Sequence, residues 1–143
     1  MTYSVLDTDH LSVLQRREEP AFTVLSKKLS AHSPDLIFVT IISFQEQFQG
    51  WMAFINRSTT ASQLVTAYSK LENLIRSFSL SQILPFDQNA SDIADGLKSQ
   101  RLGIGTLDLR IASIALSQDA VLLTRNVRDF EKVPNLKVEN WTL

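Results

Sequence analysis

Five oxygen-bearing side chains stand where they could do chemistry together: Asp7, Glu46, Asp108, Asn126 and Asp129. Asp7 ends the apolar run Tyr3–Leu6. Glu46 comes shortly after the β-rich run Leu36–Val39. Asp108 follows Gly105-Thr106, and Asn126 and Asp129 follow Ala120–Leu123. Carboxylates brought together repel one another unless a cation neutralises them. Oxygen-only donors suit Mg²⁺ or Mn²⁺, ions that can activate water and neutralise a phosphodiester. Each residue also has a plainer reading. Asp7 could cap a helix starting at Thr8. Asp108 could only complement a helix dipole, Glu46 could be a solvated charge, and Asn126 a turn residue. Asp87 reads as the cap of a helix over 88–100, His10 as structural, and Trp51 and Trp141 as packing residues.

Composition removes other chemistries. There is no Cys, and the two His, His10 and His32, are far apart, which excludes disulfides, thiolate or His-built zinc sites and Cys nucleophiles. Lys plus Arg number 14 and Asp plus Glu 15, a net charge of -1 with no bulk attraction to nucleic acid or anionic lipid. A polyanion must be gripped locally or through metal ions. Arg101, Arg125 and Arg128 flank the acidic positions and could contact phosphates of such a polyanion; solvated surface charge is the competing reading. With 143 residues, 44% hydrophobic and 20% charged, the chain fits one globular domain, 1–143. No basic-then-apolar leader occurs, and no apolar run approaches the ~20 residues of a membrane span. The expectation is a soluble cytoplasmic protein with no membrane partner.

Strands and helices must position these groups. Strands are expected at Tyr3–Leu6, Leu36–Val39, Ile83–Phe86, Ala120–Leu123 and Leu136–Val138. Helices are expected over Thr8–Gln15, Ala21–Ser30 and Ile41–Ile55. In the last of these, Phe44, Phe48, Trp51 and Ile55 form one apolar face and Glu46 points away from it. A further helix, capped by Ser58 or Thr59, carries the stripe Leu64, Tyr68, Leu71, Ile75 and Phe78. Another holds Ala90, Ile93, Ala94 and Leu97, and one capped by Thr106 would set Asp108 near its second residue. Strands alternating with helices argue an α/β sandwich with a mainly parallel sheet, whose ligands sit at the strand carboxyl ends.

In series, these segments resemble the motifs of PIN-domain ribonucleases, most closely the VapC-type toxins of bacterial toxin–antitoxin pairs. The segments are Val5-Leu6-Asp7-Thr8-Asp9, then Thr40-Ile41-Ile42-Ser43-Phe44-Gln45-Glu46 with Gly50, then Ile104-Gly105-Thr106-Leu107-Asp108-Leu109-Arg110-Ile111-Ala112. Leu123-Thr124-Arg125-Asn126-Val127-Arg128-Asp129-Phe130 and Val133-Pro134-Asn135-Leu136 with Trp141 complete the order. The resemblance implies a PIN-like three-layer α/β/α sandwich with a mainly parallel sheet of about five strands. It implies Asp7, Glu46 and Asp108 as metal-binding acids, with Asn126 as a further ligand through water, and Mg²⁺ or Mn²⁺ as cofactor. It also implies endoribonuclease cleavage of structured RNA, a small antitoxin partner and a homodimer. Asn126 stands where the family often has Asp, which weakens the hold on a second metal, and Asp9 stands where Asn is common.

Two other classes compete. Leu6-Asp7-Thr8-Asp9 also resembles the opening of haloacid-dehalogenase-type phosphotransferases, but Leu11 occupies the position where Thr or Val is expected. A non-enzymatic phosphoryl-receiver module could use Asp87 as acceptor, yet it expects an adjacent acidic pair after the first strand, and Asp7 and Asp9 are split by Thr8.

Overall fold

Short β-branched and leucine runs separated by amphipathic segments build five strands and seven helices in the computed structural model, which describes residues 1–143. In chain order these are β1 Ser4–Leu6, α1 Thr8–Arg16, α2 Ala21–Ser30, β2 Ile37–Thr40, α3 Ile41–Arg57, α4 Ala61–Ser79 and β3 Ile83–Leu84. They continue as α5 Gln88–Ser99, α6 Thr106–Ser117, β4 Val121–Leu123, α7 Val127–Phe130 and β5 Lys137–Glu139. All pairings are parallel, in the order β3-β2-β1-β4-β5. β1 is central. The chain moves outward from it to β2 on one side and returns to β4 on the other, so the switch point lies between β1 and β4. Ligand crevices in open parallel sheets form there, at the carboxyl ends.

Alternation along the strands fills two cores. Val5 and Leu122 point to one face of the sheet, beneath α5, α6 and α7, with Ile111, Ile114, Leu97 and Phe130. Leu6, Val39 and Leu123 point to the other, with Leu11, Leu25, Leu74 and Phe78 from α1, α2 and α4. Period-two side-chain direction thus yields the three-layer α/β/α sandwich that the sequence predicts. No helix is long and apolar enough to cross a membrane.

Local details differ from the sequence expectation. β3 stops at Leu84 and β5 runs one residue further along, to Glu139. The cap of α4 is Thr60, which forms a reciprocal capping box with Gln63, while Ser58 closes α3 instead. Gln63 decides this, because a capping box needs its partner at the third helical residue. Gly105, not Thr106, precedes α6, so Asp108 is its third residue. The α4 stripe also divides. Phe78 is buried, but Leu64, Tyr68 and Ile75 are exposed, and the inward face carries Ala67 and Leu74. Periodicity identifies the helix but not the face that meets the sheet. On α3 the fully buried side is Ile42 and Ser43, the side that carries Glu46. Phe44 and Trp51 pack only partly buried against the α4 side.

Candidate active site

Asp7 leaves β1 and begins α1 in one step. Its extended backbone makes it the N-cap of α1, and Oδ1 accepts from the Thr8 amide at 2.8 Å. Oδ2 accepts from Thr124 Oγ1 at 2.8 Å, directly after β4. Capping and site placement are therefore not alternatives here: one oxygen caps and the other reaches the switch point. Glu46 projects from the second turn of α3, and Asp108 from the first turn of α6. One carboxylate oxygen from each of Asp7, Glu46 and Asp108 lies within 4.8 Å of the others. The fold brings together three acids that are 39 and 62 positions apart in the sequence.

A shell of hydroxyls holds two of the three, Glu46 and Asp7. Thr8 Oγ1 lies 3.1 Å from Glu46 Oε1 and 3.0 Å from Ser43 Oγ. A carboxylate only accepts, so the Thr8 proton goes to Glu46 and buried Ser43 donates to Thr8. Thr124 Oγ1 accepts from the Asn126 amide at 3.0 Å. It also lies 3.1 Å from Asp9 Oδ2, which in turn accepts from the Arg125 amide at 2.9 Å.

Asp9 belongs to this shell rather than to the cluster. Its Oδ1 is 2.7 Å from Nδ1 of fully buried His10. His10 Nε2 accepts from the Trp141 amide at 3.1 Å, so the ring proton sits on Nδ1 and is donated to Asp9. A single carboxylate thereby ties α1, the end of β4 and the segment after β5. Position 9 carries its charge for this clamp, which sequence spacing alone does not reveal.

The electrostatics follow from burial and mutual repulsion. Burial first, then the charge of Asp9, pushes the Asp7 carboxyl up from 3.8 to about 7, against the hydrogen bonds from Thr124 and Thr8. Burial raises Glu46 too, aided by Asp108, and raises Asp108, aided by Asp129. At Asp9 burial also pushes upward, but the hydrogen bonds from His10 and the Arg125 amide outweigh it, and the carboxyl sits below its ordinary value. A cluster whose members resist ionisation lacks positive charge. Three oxygen donors match a hard divalent ion. All three oxygens lie within 4.8 Å of one another, close enough for one small hard ion to draw them together. The donor set fits Mg²⁺ or Mn²⁺.

The remaining candidates are placed around this cluster. Asn126 donates from Nδ2 to Asp129 Oδ2 at 3.0 Å, and Asp129 also pairs with Lys132. These two residues form a rim beside Asp108, whose ionisation Asp129 opposes. Arg125 is held by Thr142 and lies 3.9 Å from Glu18. Arg128 is exposed on α7. Arg101 lines a separate cleft with Lys98 and Arg110. Asp87 caps α5 through the Ala90 amide, far from the role of a phosphoryl acceptor. Sequence reasoning assigned no role to Thr8, Ser43 or Thr124. The available signal, a hydroxyl residue directly after an acid or a strand end, applies to Thr8 and Thr124; nothing in the sequence marks Ser43.

Thr124 carries a testable weight. Thr124→Val keeps the branched shape but removes the donor to Asp7 and the acceptor of the Asn126 amide. Leaving such groups unpaired costs about 1–3 kcal/mol, so urea unfolding should show a loss of that size; an unchanged midpoint would contradict the shell.

A parallel sheet with three carboxylates at its switch point defines the class: an α/β protein with an acidic, cation-seeking crevice. The sequence matches the PIN domain family over residues 4–136, and the chain belongs to that family. It is 47% identical over 45 residues to Ribonuclease VapC2 of Rickettsia felis, a stretch covering 32% of this chain and 34% of that protein. It is 31% identical over 64 residues to the tRNA(fMet)-specific endonuclease VapC of Salmonella typhimurium, 42% of this chain and 48% of that protein. These matches span about a third to a half of the relatives' length. The solved VapBC2 of Rickettsia felis, bound to a DNA fragment from its promoter, has the same fold. Its TM-score is 0.72 at 24% identity, covering 98% of this chain and 99% of that one.

Proposed function

We propose that this chain, acting as one domain over residues 1–143, is a cytoplasmic Mg²⁺- or Mn²⁺-dependent endoribonuclease that cuts structured RNA. We further propose that it is the toxin of a toxin–antitoxin pair. The observation that carries this reading is the meeting of Asp7, Glu46 and Asp108 oxygens within 4.8 Å in a PIN-family chain. The names Ribonuclease VapC2 and tRNA(fMet)-specific endonuclease VapC support ribonuclease activity and a folded RNA substrate. The VapBC2 structure supports a cognate antitoxin, and the family resemblance supports a homodimer. The phosphotransferase and receiver readings have no support in the family membership.

Asp7, Glu46 and Asp108 would hold the ion, with Asn126 at the rim as a further contact through water. A bound divalent ion supplies charge neutralisation at the phosphodiester and a more acidic water. The rest is the work of the chain. Thr8 and Thr124 fix the Glu46 and Asp7 carboxylates, so that their lone pairs converge without rearrangement. Asp108, at the start of α6, gains from the helix dipole when ionised. Asn126, a neutral amide, adds no fourth charge and leaves the crevice less able to hold two ions than a site with Asp there.

The test is cleavage of a labelled RNA hairpin by purified protein. Excess chelator should abolish cleavage, and Mg²⁺ or Mn²⁺ should restore it. Undiminished cutting in chelator would overturn the reading.

A further inference from the structure

Outside the acidic crevice, a cleft of about 320 Å³ opens between α5 and the loop and first turn that start α6. Lys98, Arg101 and Arg110 stand on its walls, with Asp95 as the one acid among them. None of the three cations forms an ion pair, whereas Arg125, Lys132 and Lys137 each face a carboxylate. Three unpaired cations on one concavity, in a chain of net charge -1, form a local anion-attracting surface. Arg101 occupies this place at φ 51, a left-handed conformation that favours glycine.

Helix geometry relates the cleft to the acids. Thr106, Leu109 and Arg110 line it, and on α6 they share one side. Asp108 lies about 200° around the helix from both Thr106 and Arg110. The cleft and the acidic cluster therefore flank opposite sides of the same helical turn, about 10 Å apart. At about 3.4 Å of rise per nucleotide, that is about three stacked nucleotides, or fewer where the strand is extended.

We propose that this cleft holds a non-scissile phosphate of the RNA strand, gripped by Lys98, Arg101 and Arg110 across α6 from the carboxylates. The proposal rests on the ribonuclease reading for its substrate, and its test separates the two. Arg110 is half-buried and Arg101 exposed. With Lys98 they bring cations from α5, the loop after it and α6 to one concavity, so the phosphate is held from more than one element and the strand is oriented as it passes Asp108.

The experiment measures binding of a fluorescein-labelled RNA hairpin by anisotropy across a salt series, in an E46Q background that leaves the RNA intact. Arg101→Gly removes the charge at a backbone position that glycine adopts freely, and Arg110→Gln keeps much of its stem. A Lys27→Gln control removes an exposed cation on α2, outside the cleft. Each cleft variant should lower the slope of log affinity against log salt by about 0.7, and the double variant by about 1.4, while Lys27→Gln leaves it unchanged. Melting temperatures of all variants should match the parent. Unchanged slopes in the cleft variants would overturn the subsite, as would an equal drop in the Lys27→Gln control. A shift in oligomeric state without a change in slope would also overturn it, in favour of a contact between copies of the chain. If wild type cut no RNA in Mn²⁺ while the slopes fell as expected, the ribonuclease reading would fail and the phosphate site would stand.

Discussion

Replacing Asp7 by Asn should lower the single-turnover rate of RNA cleavage by about 10³-fold or more, a loss of about 4 kcal/mol of transition-state stabilisation. Glu46→Gln and Asp108→Asn should follow closely. The size of the effect comes from charge rather than shape. An Asn at position 7 still accepts from the Thr8 amide. Its amide group can donate to Thr124 Oγ1, whose own proton then turns to Asp9 Oδ2 at 3.1 Å. The network closes again with one negative charge fewer, and the crevice loses its hold on a cation. A variant that cuts at near wild-type rate would remove Asp7 from the chemistry.

The same substitution should stabilise the metal-free protein. Asp7 is 6% exposed, and its pKa rises from 3.8 to about 7 on folding. An acid raised in this way leaves stability untouched below the unfolded value. As pH climbs from about 4 to about 7, the unfolded chain releases the proton while the folded chain keeps it, so stability falls. At about 1.4 kcal/mol for each tenfold change in the ionisation constant, the loss approaches about 4 kcal/mol above pH 7. Asp9, lowered rather than raised, contributes in the opposite sense and only at more acidic pH. Metal-free wild type should therefore melt higher at pH 5 than at pH 8, and Mn²⁺ should raise its melting temperature most at pH 8. Metal-free Asp7→Asn at pH 8 should melt about 10 °C above wild type. Thermal melts of both proteins across this range, with and without chelator, provide the check. An Asp7→Asn protein that melts lower than wild type at pH 8 would contradict the buried-charge account.

Much of this was legible because two periodicities carry most of the fold. Val5 against Leu6, and Leu122 against Leu123, face opposite cores, as strand geometry requires. The alternation of strands with helices fixes a parallel sheet. The acids were legible as residues at strand ends and helix starts, and their order resembles the PIN motifs. What stayed hidden was set by tertiary contact. Leu64, Tyr68 and Ile75 have the spacing of a buried stripe, yet α4 turns the adjacent face to the core, the one that carries Ala67, Leu71, Leu74 and Phe78. Asp9 resembles a spare ligand until His10 and the Arg125 amide are seen to hold it. The cleft of Lys98, Arg101 and Arg110 depends on how α5 packs on α6, which no local pattern encodes.

The most direct measurement maps RNA 5′ ends in cells expressing either wild type or Asp7→Asn at equal protein level. Wild type should produce a discrete set of new ends within folded RNAs, and Asp7→Asn should produce none of them. The same ends in both, or no new ends from a folded and expressed wild type, would contradict a ribonuclease built on Asp7, Glu46 and Asp108.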